Sequence, residues 1–120
     1  MLSPESREEV VDIVRLAAAA RVAIVPQGGN TSMVAGATPM PGALLVSMRR
    51  MRAIRSISAE DNSVVAEAGV ILSDLHDAAA AVGRRFPLSL AAKGSATVGG
   101  LISTNAGGTQ VLRFGTMRAQ

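Results

Sequence analysis

The chain has 120 residues and a mass of 12.2 kDa, enough for one compact domain and too little for an enzyme with separate cofactor and substrate domains. Hydrophobic residues make up 48% and mean hydropathy is +0.33, which excludes intrinsic disorder; no apolar run approaches the ~18 residues of a membrane span. The net charge of +3 is a weak polyanion signal, and with Phe86 and Phe114 as the only aromatics the chain lacks base-stacking platforms, so no nucleic-acid partner is expected.

The basic cluster Arg49, Arg50, Arg52 and Arg55 reads as a solvated or domain-facing loop. With no cysteine there is no disulfide framework, thiolate metal site or thiol nucleophile. Met1 to Arg15 shows no targeting segment, so a cytoplasmic location is the expectation.

In chain order, Ser3 followed by Pro4, Glu5, Glu8 and Glu9 predicts a capped helix start, because a hydroxyl, a first-turn proline and early carboxylates all suit free N–H groups. Val10, Val11, Ile13, Val14, Leu16 and Ala17 give its apolar face, and the helix should run to about Ala20. Val22 to Val25 reads as a buried strand ending at Pro26. Gln27 to Gly42 then has no periodicity, and a loop of about sixteen residues calls for a functional reason. Leu44 to Ser47, Ile54 to Ser58 and Val64 to Ala68 are strand-length, the last two joined by Ala59–Asn62, and suggest a small mixed sheet. Ser73 can cap a helix with Leu72, Leu75, Ala79 and Val82 on one side, ending near Gly83.

After Phe86 and Pro87 glycine returns, in Gly94 to Gly100 and again in Asn105 to Gly108. The chain stops at Gln120 with no closing element, an end expected within a domain rather than at its natural limit.

Backbone N–H groups in a glycine-rich turn can converge on an anion with no side chain in the way. Gln27-Gly28-Gly29-Asn30-Thr31-Ser32 supplies that chemistry, against the plainer reading of a surface connection with no ligand. For the second stretch the plain reading is close packing, with Gly99 and Gly100 letting a short helix approach its neighbour. No two glycines are separated by a single residue, so GxGxxG is absent, and Lys93-Gly94-Ser95 has the wrong order for GxxxxGK[ST]. Two such loops in one small unit point to a shared extended ligand. Glu67, Asp74 and Asp77 are expected on solvated surface, and no catalytic base is apparent.

Val25-Pro26-Gln27-Gly28-Gly29-Asn30-Thr31, Ser47-Met48, Met51-Arg52, Glu67-Ala68-Gly69-Val70, Phe86-Pro87-Leu88-Ser89-Leu90, Lys93 to Gly100 and Ser103 to Gly108 resemble, in order and spacing, the FAD-binding domain of the vanillyl-alcohol oxidase / p-cresol methylhydroxylase (PCMH) flavoproteins. Within it they are most similar to the D-lactate and D-2-hydroxyglutarate dehydrogenase branch. The resemblance implies an α+β PCMH-type fold, a small mixed sheet flanked by helices, present here in part over residues 1–120. It implies FAD held at Pro26, Gln27, Gly28, Gly29, Asn30, Thr31, Ser32 and Met33 around the pyrophosphate. Pro87, Leu88, Gly94, Ser95, Thr97, Val98, Gly99, Gly100, Asn105, Ala106 and Gly107 would lie along the flavin and ribityl chain.

Asn30 stands where some relatives carry a flavin-linking histidine, and the only histidine is His76, expected on the surface or as a cap, so non-covalent FAD is implied. In the complete enzyme the resemblance implies hydride transfer from Cα of a 2-hydroxy acid to the flavin while a base takes the hydroxyl proton, then electron transfer to an acceptor. The groups that hold substrate lie mainly beyond these residues in the family, so the isolated chain is expected to have little turnover. The alternatives are a stand-alone nucleotide- or anion-binding module, or a non-functional truncated product.

Overall fold

The chain is described over all 120 residues by a computed structural model. Leu2 begins it as an extended residue that bridges Val46: its N–H donates to the Leu45 carbonyl and its own carbonyl accepts from Ser47, both at 2.8 Å. Because this pairing holds Leu2 to Pro4 against a distant strand, the first helix, α1 (Arg7–Ala20), is capped by Ser6 and not by Ser3. The Ser6 hydroxyl accepts from the Glu9 N–H at 3.2 Å while the Glu9 carboxylate reaches back to the Glu5 N–H at 2.7 Å, a variant of the capping box. Ala17 is the one buried residue of α1. Val14 and Leu16, expected on its inner face, are 50% and 71% exposed, so this helix spends little of its apolar surface within the chain.

Strand β1 (Ile24–Gln27) pairs in parallel with β2 (Leu44–Ser47), Ile24 opposite Leu44 and Gln27 opposite Ser47. Pro26 lies inside β1 instead of ending it; β2 is the only strand paired with β1, so a residue without an N–H is tolerated at the open edge. The antiparallel pair β3 (Ile54–Ser58) and β4 (Ser63–Ala66) forms a second two-stranded sheet, with an irregularity between Ile54 and Ser56. Parallel and antiparallel pairing thus both occur, in separate sheets. Arg84 fastens the β3–β4 turn, donating from Nε to Asn62 Oδ1 and from Nη2 to the Ala59 carbonyl, each at 2.7 Å.

Helix α2 (Leu72–Ala81) turns Leu72, Leu75 and Ala79 inward. Its N-cap is Ile71, with no side-chain bond, and Ser73 lies inside the helix. The opening N–H groups of Leu72 and Ser73 are satisfied instead by the Ala96 and Lys93 carbonyls, at 2.9 and 3.0 Å, so distant backbone does the work expected of a local hydroxyl. Short helices α3 (Val98–Ser103) and α4 (Val111–Phe114) and a 3₁₀ turn at Met117–Ala119 complete the chain. The core is aliphatic: Leu72, Leu88, Ala96 and Leu101 form one cluster, and Val70, Leu75 and Val98 another, with Phe86 and Met117 against both.

Candidate functional site

Residues Gly28 to Met33 follow β1 directly, and their backbone N–H groups donate to no acceptor in the chain. The Gln27 side-chain amide donates to the Ala37 carbonyl at 2.9 Å and closes the loop across its base. Gly28 and Gly29 are half-buried, whereas Asn30, Thr31, Ser32 and Met33 are exposed and Asn30 takes a positive φ of 54°. The two glycines are required by a close approach: a Cβ on Gly28 would collide with Thr97 Oγ1, and one on Gly29 with the backbone carbonyl of Ser95. The fold therefore seats the first glycine-rich loop on the second.

On the second loop Thr97, 3% exposed, caps α3, its Oγ1 accepting from the Gly100 N–H at 3.4 Å. The N–H groups of Val98 and Gly99 donate to the Val70 and Ala68 carbonyls, both at 2.9 Å, and a Cβ on Gly99 would lie 2.7 Å from that of Ala68. The first amides of α3 are thus used within the chain, and Gly99 serves close packing. Gly94 is exposed with its N–H unpaired. Leu88 is only 3% exposed, and its N–H also finds no acceptor in the chain. That N–H is left free to meet a ligand acceptor.

Leu88 and Ala96 share the core cluster, and half-buried Ala106 packs on it, so the Pro87–Leu88, Gly94–Thr97 and Asn105–Gly107 segments surround one centre. Asn105 has a φ of 47°, and its Oδ1 accepts from the Arg118 N–H at 3.0 Å; the Ala106 carbonyl accepts from Met117 at 2.9 Å. Both tie down the final turn. Gly107 lies beside Val111, whose side chain would be 3.5 Å from an added Cβ.

Two residues differ from expectation. His76 is half-buried, and its Nε2 lies 2.8 Å from the Leu88 carbonyl with the Phe86 ring at 6.2 Å. Its spacing of four from Leu72 and three from Ala79 was the available signal, since it sets His76 beside the buried stripe. Glu67 is half-buried and engaged: its side chain is 12% exposed, and its carboxylate accepts from the Ala53 N–H and from Arg55 Nη2, both at 2.8 Å. The Ala53 N–H first, and then the Arg55 guanidinium, hold this carboxyl below its ordinary value. Nearby, Gly69 admits no Cβ because the Met48 and Met51 carbonyls crowd it. Of the arginine cluster, Arg50 pairs with Glu5 and Arg55 with Glu67, while Arg49 and Arg52 are exposed.

The electrostatics favour a negatively charged ligand. No charged residue lies between Arg21 and Arg49, and no carboxylate side chain follows Asp77, so neither glycine-rich loop carries an anion of its own. Attraction would come from backbone dipoles and from Lys93. Free amides on a glycine-built seat, with a buried apolar centre alongside, are an arrangement by which a backbone can hold a phosphate-bearing ligand.

The comparisons with known proteins name the family. All of residues 1–120 match the FAD-binding domain family, to which the chain belongs, with FAD as the cofactor of the fold. It is 42% identical over 115 residues to a D-2-hydroxyglutarate dehydrogenase of Xanthomonas citri pv. viticola, covering 96% of this chain and 24% of that protein. It is 40% identical over 117 residues to a mitochondrial D-2-hydroxyglutarate dehydrogenase of Arabidopsis thaliana, covering 98% and 21%. A solved alkyldihydroxyacetonephosphate synthase chain superposes with a TM-score of 0.84 at 26% identity over 95% of this chain and 22% of its own. The chain spans roughly a quarter or less of the proteins it matches, and its architecture is the α+β PCMH-type FAD-binding fold. No helix is long and apolar enough to cross a membrane.

Proposed function

We propose that the chain is the FAD-binding portion of a flavin-dependent dehydrogenase that oxidises a 2-hydroxy acid, D-2-hydroxyglutarate or D-lactate, to the 2-oxo acid. The observation that carries this reading is the run of unpaired amides from Gly28 to Met33, seated by Gly28 and Gly29 on Ser95–Thr97, in a chain 42% identical to a D-2-hydroxyglutarate dehydrogenase. These residues fit the cofactor: the first loop offers donors for a pyrophosphate, and Pro87, Leu88 and Gly94 offer an apolar wall with free N–H groups at Leu88 and Gly94. When bound, FAD would supply the two-electron acceptor that amino-acid side chains lack. Binding is non-covalent, supported by Asn30 at the position of the linking histidine of some relatives and by His76 being engaged with Leu88.

Residues 1–120 form part of an FAD domain, and the 2-hydroxy acid, the catalytic base and the electron acceptor meet residues outside them. No nucleic acid takes part, and the location is cytoplasmic, although the Arabidopsis relative is named as mitochondrial. With 15 of 120 residues buried and a radius of gyration of 15.4 Å, against ~14 Å for a compact domain of this length, much apolar surface is left for further chain to cover.

The test is a dye-reduction assay with FAD and either D-2-hydroxyglutarate or D-lactate. The 120 residues alone are expected to give no turnover, and a version extended through the substrate domain is expected to reduce the dye. Robust reduction by the short chain would overturn the assignment of the chemistry to other residues, and none by the extended one would overturn the activity.

A further inference from the structure

The Leu88 carbonyl belongs to a residue 3% exposed, and no backbone N–H donates to it. Its single donor is the His76 imidazole, whose Nε2 approaches to 2.8 Å. A carbonyl only accepts, so the proton of neutral His76 sits on Nε2. On its other side the same segment is held at Ser89, whose carbonyl accepts from the Thr109 N–H at 2.8 Å and crowds Gly108 so that no Cβ fits there. Phe86 to Leu90 has no regular secondary structure, and Pro87 has no N–H to contribute. The course of this backbone therefore rests on His76 at one end and on Gly108–Thr109 at the other.

Resting on the FAD reading above, we propose that His76 is a positioning residue of the flavin site. Its Nε2–H fixes the peptide that follows Leu88 and so restrains Leu88 itself, whose own N–H, in the preceding peptide, finds no acceptor in the chain and is left for the cofactor. His76 acts from α2 and lies behind the segment that would touch the flavin. The imidazole packs beside Phe86, at 43° between ring planes, which limits its rotation and keeps Nε2 on the carbonyl. An aliphatic residue in its place would leave a buried acceptor without a donor, and the peptide would turn to find one.

The experiment compares FAD binding by the wild-type chain, His76→Leu and His76→Gln, reading both affinity and the flavin absorption and circular dichroism bands. Glutamine carries an N–H donor at about the reach of Nε2. His76→Leu is expected to weaken FAD by about tenfold or more and to alter the flavin bands, the size expected for one buried hydrogen bond, while His76→Gln restores both. Equal affinity and unchanged bands in His76→Leu, with wild-type binding intact, would overturn the role of His76; failure of the wild type to bind FAD would overturn the FAD reading instead. Nitrogen-15 spectra of the wild-type chain give a test that needs no variant to fold. FAD should shift the Leu88 amide and His76 Nε2 resonances together, and shifts confined to Gly28–Met33 would contradict the proposal.

Discussion

Gly29 and Gly36 stand in the same loop, and only one of them is a packing requirement. A Cβ on Gly29 would lie 2.7 Å from the Ser95 carbonyl carbon and nearer still to its oxygen, whereas nothing lies within 4 Å of one on Gly36. Gly29→Ala should therefore cost roughly 1–3 kcal/mol of stability. Gly36→Ala should be neutral or stabilising by up to ~1 kcal/mol through the unfolded state, with urea unfolding as the measurement. The same geometry makes bulky substitution at Gly29 a poor probe of the cofactor alone, since the clash is with the protein's own backbone.

Glu67 gives a pH prediction. Its folded carboxyl titrates below the ordinary 4.5, so the stability it contributes is complete above that value and is lost as pH falls toward and through the lower folded pKa. Thermal melts across that window should show a steeper decline for the wild type than for Glu67→Gln, and parallel declines would contradict the assignment. The sequence pattern puts Glu67 on the surface and His76 on the surface or at a cap. Each is engaged by backbone distant in sequence, the Leu88 carbonyl or the Ala53 N–H; spacing could set His76 beside the buried stripe of α2 but could not name either partner.

Among elements, β2 and β3 were legible from sequence with the bounds they have, because short apolar or alternating runs between turn residues leave little choice. The helix starts were less legible. Leu2 pairs with Val46 and displaces the α1 cap from Ser3 to Ser6, and the Lys93 and Ala96 carbonyls make a Ser73 cap unnecessary. β4 ends at Ala66, short of the expected Ala68, because Glu67 turns back to Ala53 and the Ala68 carbonyl serves Gly99 of α3. The α1 cap is directly testable: Ser6→Ala should cost about 1 kcal/mol. Ser3→Ala removes only a long 3.5 Å contact to the Ser47 carbonyl and should stay within ~0.5 kcal/mol. Equal effects in chemical denaturation would return the cap to Ser3.

At the scale of the molecule, two glycine-rich loops far apart in sequence become one surface because Gly28 and Gly29 admit Ser95 and Thr97 at backbone distance. The order of the motifs announced the family, and the loop composition announced donors. Which donors remain free could not be read from sequence: Val98, Gly99 and Gly100 look as available as Gly28 and Gly29, but Ala68, Val70 and Thr97 already accept from them. Free donors run unbroken from Gly28 to Ala37, and the Gly28–Met33 part of that run is the part that follows the two glycines seated on the second loop.

A titration with FAD to ~100 μM, followed by flavin fluorescence and absorbance, would detect binding even of order −5 to −6 kcal/mol. It should be run on the wild type and on Thr31→Asp, which places a carboxylate among the free amides at an exposed position where the fold has little at stake. The wild type should show saturable quenching and Thr31→Asp binding weaker by about tenfold or more, with the unfolding midpoint unchanged. No flavin signal from the wild type, or equal affinity in the two proteins, would contradict the FAD reading of this loop.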